Sequence, residues 1–499
     1  MEATEGKRSS PATPPNLRVG LAAVAARAAA TASRALGRGG GTALPGLIAE
    51  RLAPDLLGHL AAQLPGGAVA VTGTNGKTTT SHMLAAILTR AGRRPLRNAS
   101  GSNLSRGIAG ALAARADWRG RLAPGGPAGG PATGLFETDE AAFARVVPAV
   151  RPDVVVVTNL FRDQLDRYGE VDAVAAIWRQ ALAAVDGGAA GGTTLALNAD
   201  DPTVAALGTA RPAAVRYFGI DDTRWGHPGP EHAADAKVCP TCGALLAYPV
   251  CYYGHLGHYR CPNGHARPAP DVRVTRLEPR GFEGTDLTLE TPLGGVAFRL
   301  PLPGLYNVYN ALAAAAGALA LGAPLAAVRD GLSGFTAAFG RLERATVGRH
   351  TVYLLLAKNP VGMNEALRTL FADGRPRHLL MALNDLDADG RDVSWIWDAD
   401  FEHVAGRASS LTVAGRRADD LAVRLKYAGA LARAESPDPE SGVGGPAIEA
   451  VLGRALDRSL AVVPPGETLY CVLTYTAMLD LRRVLTERGH LAPYWQTES

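Results

Sequence analysis

The chain has 499 residues, of which 47% are hydrophobic and 20% charged, with a formal net charge of +4. This composition excludes a disordered chain, and the length predicts two or three domains with ample cores. The basic and acidic residues are scattered, so nothing in the charge pattern calls for a nucleic-acid partner. Five cysteines are too few for a disulfide framework in a chain of this length. We therefore expect a globular protein of the reducing cytosol.

Residues 1–45 are predicted to form an N-terminal segment, disordered at first and then helical. Residues 1–15 are polar and proline-rich, without a signal-peptide pattern. Residues 21–36 are alanine-rich and interrupted by Arg27 and Arg34, which predicts a helix too weakly apolar to span a bilayer. Two interpretations stay open: the helix packs against the body of the protein, or it lies on a membrane surface.

Residues 46–315 are predicted to form a central α/β domain. Short apolar runs alternate with helical patterns, which indicates βαβ units and a parallel sheet; the clearest are AVAVT (68–72), DVVVVT (153–158) and TLAL (194–197). Residues 237–270 break this rhythm with Cys, Gly, Tyr and Pro, and we interpret them as an inserted module. A second α/β rhythm follows, and we assign residues 316–499 to a C-terminal domain.

The motif VAVTGTNGKTTT joins the first of these strands to a helix through a glycine-rich turn. Such a turn lets backbone N–H groups approach a phosphate, the helix N-terminus adds a favourable dipole, and the lysine neutralises charge. The eight-residue P-loop pattern has glycine where Val71 stands, so this motif is a shorter variant. We predict that it binds the phosphates of ATP through Gly73, Thr74, Asn75, Gly76, Lys77, Thr78 and Thr79, with Mg²⁺ on Thr78.

This motif resembles that of the Mur ligases and folylpolyglutamate synthases. Further segments resemble theirs and occur in the same order, over most of residues 68–345: FETDE (136–140), DQLDRY (163–168), LNADDP (197–202), LPGLYNVYNALAA (302–314) and FGRLER (339–344). The resemblance implies an α/β fold with a Mur-ligase-type P-loop central domain and a Rossmann-like C-terminal α/β domain. The inserted module at 237–270 is unusual for a Mur ligase, and its cysteines indicate that it is zinc-ribbon-like.

The resemblance also implies roles for individual residues. Glu137, in FETDE, would bind Mg²⁺ with Thr78, and Asn307 and Asn310 would contact the adenine side of ATP. From the C-terminal domain, Arg341 and Lys358 would reach the γ-phosphate or the substrate carboxylate after domain closure.

One residue departs from the pattern of amino-acid-adding Mur ligases. Gln164 stands where those enzymes have a histidine that helps to hold a second magnesium. An amide oxygen is a weaker, neutral ligand, so the presence of a second ion stays open. Asp163 and Asp166 are either metal ligands or structural acids, and both interpretations are kept.

Four of the five cysteines fall within the inserted module, which points to a metal. Cys239 and Cys242 form a CxxC pair, and Cys261 opens a second, irregular knuckle in which His265 follows at C-x3-H spacing. Two such knuckles close a tetrahedral zinc site. We predict Zn²⁺ on Cys239, Cys242, Cys261 and His265, with Cys251 as the alternative fourth ligand; a metal-free remnant of a ribbon is the other interpretation.

The C-terminal half resembles one family in particular. The segments LLLAKNPVGMNEAL (354–367), LNDLDADGRDVSWIWDADFE (383–402), RLKYAG (424–429) and LTYTAMLDLRRVL (473–485) resemble the MurT family, the synthetase subunits of lipid II isoglutaminyl synthase. This resemblance implies ATP-dependent amidation of the α-carboxylate of D-glutamate in lipid II, through an acyl phosphate. The site of action would be the inner face of the plasma membrane.

The MurT resemblance further implies a GatD-like glutaminase subunit that supplies ammonia, because free ammonium is mostly protonated and not nucleophilic. Trp395 and Trp397 are candidates for docking this partner. Asp398, with Asp392 as the alternative, is the candidate for orienting the partner's histidine. Competing interpretations are a ligase that adds an amino acid and a nucleotide-binding scaffold without catalysis.

Overall fold

The protein is described here by a computed structural model covering residues 15–35, 43–98, 103–122, 130–162, 171–185, 192–210, 214–231, 234–335, 343–430 and 447–492. Its described strands form a nine-stranded sheet, a six-stranded sheet and a separate two-stranded hairpin. The first sheet and the hairpin come from the first two thirds of the chain, and the second sheet comes from the last third.

The N-terminal helices are α1 (Leu17–Ala35), α2 (Ala43–Leu52) and α3 (Leu56–Ala61). One face of α1, including Val19, Ala22 and Ala23, is fully buried in a core shared with α2 and α3. Helix α1 therefore packs against the body of the protein, while Leu17 and Leu21 on its other face are exposed. Among the described residues, no helix has both the length and the apolar character needed to cross a membrane.

The strands of the first sheet and of the hairpin are β1 (Ala68–Thr72), β2 (Arg94–Arg97), β3 (Ala132–Glu137), β4 (Val154–Val157), β5 (Thr194–Asn198), β6 (Val215–Ile220), β7 (Ala247–Tyr253), β8 (Leu256–Arg260), β9 (Val272–Pro279), β10 (Thr285–Thr291) and β11 (Gly294–Leu300). The nine-stranded order is β11-β10-β9-β6-β5-β4-β1-β3-β2. Pairing is parallel from β2 to β9 and antiparallel through β10 and β11. Every residue of β1 and β4 is buried, as expected where helices cover both faces of a parallel sheet.

The helices along the first sheet are α4 (Lys77–Arg90), α5 (Ser105–Ala113), α6 (Phe143–Val150), α7 (Val171–Ala183), α8 (Pro202–Ala205), α9 (Leu305–Ala320) and α10 (Leu325–Ser333). Helices α9 and α10 both pack against α4. Residue 315, where we expected the central domain to end, lies inside α9. We therefore propose that the boundary between the two α/β units lies after α10, because α10 still belongs to the core of the first sheet.

The second sheet has the strands β12 (Glu343–Val347), β13 (His350–Leu356), β14 (Arg377–Ala382), β15 (Ala408–Ala414), β16 (Ala447–Glu449) and β17 (Thr468–Leu473). Their order is β12-β13-β17-β14-β15-β16, parallel except between β12 and β13. Among the described residues, four helices flank it: α11 (Pro360–Leu370), α12 (Ala418–Tyr427), α13 (Leu452–Val462) and α14 (Tyr475–Glu487). This is the doubly wound α/β arrangement expected for the C-terminal half.

Candidate nucleotide and metal sites

The glycine-rich turn between β1 and α4 lies at the carboxyl edge of the first sheet, where open α/β sheets bind ligands. Gly73 and Gly76 both have positive φ, 136° and 84°. A Cβ on Gly76 would lie 1.9 Å from Oδ1 of Asn310, so a larger residue is excluded twice, by backbone conformation and by space. This places Asn310, which was predicted on the adenine side, directly beside the phosphate-binding turn.

Lys77 opens α4 and its side chain is buried. Its Nζ donates to the carbonyl oxygens of Gly73 and Thr74, at 2.5 and 3.2 Å, and to Oε1 of Glu140 at 3.0 Å. The ammonium is thus held across the mouth of the turn, where it can neutralise a bound phosphate. Our sequence reasoning missed Glu140, although it is the last residue of the FETDE segment that supplied Glu137.

The two predicted magnesium ligands meet one residue further on. The hydroxyl of Thr78 donates to Oε1 of Glu137 at 3.0 Å. Glu137 ends β3 and is fixed by Asn98, which exchanges two hydrogen bonds of 3.0 Å with its backbone. A hydroxyl and a carboxylate beside a phosphate site are the oxygen donors that Mg²⁺ uses together with phosphate oxygens and water. The donor set therefore fits this ion.

Asn75, at the apex of the turn, is held from both sheets. Asn159, which follows β4, accepts from the Asn75 N–H at 2.9 Å and donates to its carbonyl oxygen at 3.1 Å. Asn359, which caps α11 in the second sheet, donates to Oδ1 of Asn75 at 3.0 Å. Neither partner was singled out from the sequence. The signal available for both was an asparagine placed just after a buried strand.

A cleft between the two units leads away from this turn, and its lining residues come from both units. Thr79, Asn307 and Asn310 line it on the first sheet's side, and Lys358 lines it from the second. The apolar part of the wall includes Tyr253, Leu302, Tyr306, Phe335 and Val361. The cleft thus joins a polar phosphate end to apolar walls that suit a nucleobase.

A smaller cleft adjoins the first, and Lys358 and Asn359 line both. Asp392 and Asp398 also line it, opposite Arg162 of the first unit. Arg162 lies 3.8 Å from Asp398 and pairs with Asp235 on its other side. Asp392 accepts a 2.8 Å hydrogen bond from the backbone of Ser394, which holds the pKa of its carboxyl below the usual range. The structure thus brings Lys358 and both aspartates to one wall.

Several predicted residues lie outside the described part of the chain. These are Arg341 in the second unit and the DQLD positions Asp163, Gln164 and Asp166. The presence of a second magnesium ion near Gln164 therefore stays open.

Both Trp395 and Trp397 precede Asp398, but they differ in surroundings. Trp395 packs against the core of the second unit, whereas the side chain of Trp397 is half exposed and lies against Tyr427, with ring centroids 5.8 Å apart and the ring planes tilted. Trp397 is therefore the one of the two that is available to a partner.

The predicted zinc ligands converge at the base of the β7–β8 hairpin. One ligand atom from each of Cys239, Cys242, Cys261 and His265 lies within 4.8 Å of the others. The Cys242 and Cys261 sulfurs are 3.4 Å apart, and Cys239 Sγ is 3.5 Å from Nδ1 of His265. Three thiols and an imidazole at this spacing fit a tetrahedral Zn²⁺.

Cys251 lies apart from this group, in the middle of the hairpin. Its thiol donates to the carbonyl oxygen of Gly254 at 3.4 Å, and burial raises its pKa to about 12. Cys471 is fully buried in β17, as expected for a core residue. Cys251, the alternative fourth ligand, is thus engaged away from the cluster, and His265 lies with the three other cysteines.

Comparison with known proteins agrees with this architecture. Residues 71–111 match the Mur ligase middle domain, and residues 356–478 match the MurT ligase C-terminal family. A lipid II isoglutaminyl synthase (glutamine-hydrolyzing) subunit MurT of Streptococcus pneumoniae is 33% identical over 95% of this chain and 98% of its own. The MurT subunit of Staphylococcus aureus is 34% identical over 81% of this chain and 86% of its own.

Solved structures agree on the fold. MurF from Acinetobacter baumannii superposes with a TM-score of 0.60 at 19% identity, covering 88% of this chain and 81% of that one. The fold and the relatives together define an ATP-dependent ligase of the Mur type. Within that class, the MurT subunits match both halves of this chain. The chain therefore belongs to the MurT family.

Proposed function

We propose that this chain amidates the α-carboxylate of D-glutamate in the stem peptide of lipid II, as the synthetase subunit of an isoglutaminyl synthase. The observation that supports this most directly is the joint presence of a Mur-type phosphate site and a MurT-type C-terminal unit in one cleft. The MurT relatives are identical to this chain at about one position in three, across both halves.

The chemistry follows from the difficulty of displacing oxide from a carboxylate. The carboxylate oxygen attacks the γ-phosphorus of ATP, ADP leaves, and an acyl phosphate forms. Ammonia then attacks the carbonyl carbon, phosphate leaves, and a proton is lost to give the amide. Lys77 neutralises the transferring phosphoryl group, and Thr78 and Glu137 would hold Mg²⁺, which would supply further positive charge.

The second unit contributes the groups that complete this site. Lys358 lines the nucleotide cleft and the smaller cleft beside it, which suits a cation that contacts both the γ-phosphate and the substrate carboxylate. We assign the same task to Arg341, from the family resemblance of FGRLER. Asn307 and Asn310 remain our candidates for the adenine side from the family resemblance, and both line the cleft, with Asn310 also beside Gly76 of the turn.

Zinc would be structural in this proposal. The four ligands lie at the base of the hairpin, and β8 separates them from its tip at Tyr253 and Gly254. Five residues of extended strand span about 17 Å, too far for the ion to touch the reacting atoms. A closed four-ligand site contributes folding free energy instead, by fixing the knuckles from which β7 and β8 extend.

We further propose a GatD-like glutaminase as the partner subunit, because the MurT relatives are named as subunits of a glutamine-hydrolyzing synthase. Asp398 remains our candidate for orienting the partner's histidine. Its side chain is 42% exposed, and its neighbour Arg162 lies at 3.8 Å, so it is accessible while being held. Trp397 beside it offers an exposed aromatic anchor.

Contact with the inner face of the membrane would bring this site to a lipid-linked substrate. Leu17, Leu21 and Val24 form an exposed apolar stripe on α1, with 59%, 67% and 41% of their surfaces accessible. Trp118 and Arg119 lie beside the start of the same helix. Apolar, aromatic and basic groups together are the composition of an interfacial surface.

The decisive experiment combines the chain with a candidate glutaminase subunit and supplies lipid II, ATP, Mg²⁺ and glutamine. Mass spectrometry should detect the small mass decrease that accompanies conversion of acid to amide. Lys77→Ala should abolish amidation with every nitrogen source. Asp398→Asn should abolish amidation with glutamine, and added ammonia should restore amidation in this variant. Glutamate-dependent ADP release without amidation would instead indicate a ligase that adds an amino acid, and nucleotide binding without turnover would indicate a scaffold.

A further inference from the structure

The tip of the β7–β8 hairpin lies between the two units of the protein. His255 is fully buried and packs on Phe161 with ring centroids 4.5 Å apart. Tyr253 packs edge-on against Tyr309 of α9 at 5.6 Å. Between them Gly254 has φ +59°, and a Cβ there would lie 2.8 Å from Phe161 and 3.7 Å from Val361 of α11. The tip is therefore embedded in the first unit and touches the second.

One arginine of α11 binds this tip. Arg368 donates to the carbonyl oxygen of Tyr252 at 3.0 Å and to Oε1 of Glu365 at 2.7 Å, and it pairs with Glu231. Glu231 precedes the inserted module (residues 237–270) and also binds the turn at the hairpin tip. Its Oε2 accepts from the Gly254 N–H at 2.7 Å, and its own N–H donates to the Gly254 carbonyl oxygen at 3.0 Å.

This network is unlike a surface ion pair. The Glu231 and Glu365 side chains are 7% and 5% exposed, and Arg368 is 33% exposed. His227 also faces Glu231, at 3.5 Å. Two nearly buried carboxylates depend on one guanidinium, so loss of the arginine would leave both without their main counter-charge. Surface pairs contribute little by comparison.

The helix that Arg368 anchors forms one wall of the nucleotide cleft. Val361, Gly362, Glu365 and Ala366 of α11 line the cleft, and Asn359 at its N-cap bonds Asn75 of the phosphate-binding turn. Tyr253 lines the same cleft from the hairpin. The distance between these two walls is thus set where Arg368 meets Glu231.

We infer that Arg368 and Glu231 are a positioning pair. Through this pair the inserted module holds α11, and with it Lys358 and Asn359, in place at the nucleotide cleft. The inference rests on the proposed function only in that the cleft binds adenine nucleotide. It assigns the inserted module a task in the ligase cycle: to fix the relative placement of the two α/β units.

The test measures binding of Mg²⁺–ADP to the full chain by calorimetry, for Arg368→Gln, Glu231→Gln and the double variant. Each single substitution should weaken binding by about fivefold or more. The double variant should be no weaker than the worse single one, since both remove the same contact. Arg454→Gln is the matched control, because its pair with Glu449 lies at the outer edge of the second sheet, with 71% and 19% side-chain exposure. Wild-type affinity in both single variants, or additive losses in the double variant, would overturn the inference.

Hydrogen exchange separates a positioning role from general destabilisation. In Arg368→Gln the amides of α11 and of the hairpin tip should exchange faster, while those of β1 and α4 keep wild-type protection and bound zinc is unchanged. Should that variant fold poorly, Arg368→Lys replaces it, since an ammonium is a point charge and lacks the planar fork with which the guanidinium contacts Tyr252, Glu231 and Glu365. Wild-type affinity and α11 exchange in Arg368→Lys would contradict the inference. Neither measurement uses lipid II or glutamine, so an error in the amidation proposal leaves their result intact.

Discussion

The ammonium nitrogen of Lys77 lies 3.0 Å from the carboxylate of Glu140, and both side chains are at most 10% exposed. Removing one member of a buried pair costs about 3 to 5 kcal/mol, because it leaves the other charge uncompensated. Lys77 therefore balances a buried acid in addition to its proposed role in neutralising phosphate, and these two tasks can be separated by mutation.

We expect Lys77→Met to lose nucleotide binding and also to lower the melting temperature of the nucleotide-free protein. In Lys77→Met with Glu140→Gln, the melting temperature should recover while binding stays lost. Thermal denaturation and ADP calorimetry on the same samples check both effects. Equal destabilisation in the single and double variants would show that Glu140 is balanced by other groups.

Glu137→Gln should raise the magnesium concentration needed for half-maximal activity by about tenfold or more, because a neutral amide oxygen replaces a charged ligand. The maximal rate at saturating magnesium should fall less. A magnesium titration of ATP-dependent activity measures this. Asp139→Asn, in the same segment, is the control, since Asp139 accepts from the backbone of Ala141. An unchanged magnesium requirement in Glu137→Gln would remove Glu137 from the metal site.

The purified chain should contain about one zinc ion, held by the four residues that converge at the hairpin base. Cys242→Ser and His265→Ala should lower the zinc content and loosen the hairpin, detectable by elemental analysis and proteolysis. Cys251→Ala and Cys471→Ala should retain full zinc, because both thiols are buried away from the cluster. Loss of zinc in Cys251→Ala, together with retention of zinc in His265→Ala, would show that Cys251 and not His265 is the fourth ligand.

Burial raises the pKa of Glu365 from 4.5 to about 7, with Arg368 opposing the shift and Glu231 adding to it. An acid whose pKa is higher in the folded state binds more protons there, so stability is lost as pH rises from 4.5 through 7. Glu365→Gln stays neutral and escapes this loss. We expect the melting temperature of the wild type, relative to this variant, to fall between about pH 5 and about pH 8. A constant difference across that range would show that Glu365 is ionised throughout.

Local patterns allowed much of the fold and the phosphate site to be predicted. The turn from Gly73 to Thr78 is contiguous, so strand, glycines and helix start all appear in one window. The spacing of Cys239, Cys242, Cys261 and His265 likewise identifies their cluster, which the structure brings together.

Contacts between distant segments could not be predicted in this way. Asn359 meets Asn75, and Arg368 meets Glu231, only because α11, a helix of the second unit, lies against the first unit. No periodicity in the sequence encodes that contact. Our proposal of a later domain boundary has a related reason: α10 follows the alanine-rich α9 but packs back on α4, and its own pattern does not say which sheet it joins.

The hydrogen bond from Asn359 to Asn75 means that the phosphate-binding turn and the second unit cannot move independently. Opening the cleft breaks a bond to the turn, and any ligand that reorients Asn75 changes how firmly the second unit is held. Nucleotide binding and closure of the cleft are then coupled. By thermodynamic linkage, closure changes nucleotide affinity by the same factor by which bound nucleotide changes the closure equilibrium. A partner protein that binds the second unit more tightly in one state of the cleft than in the other would therefore alter nucleotide affinity without approaching the nucleotide.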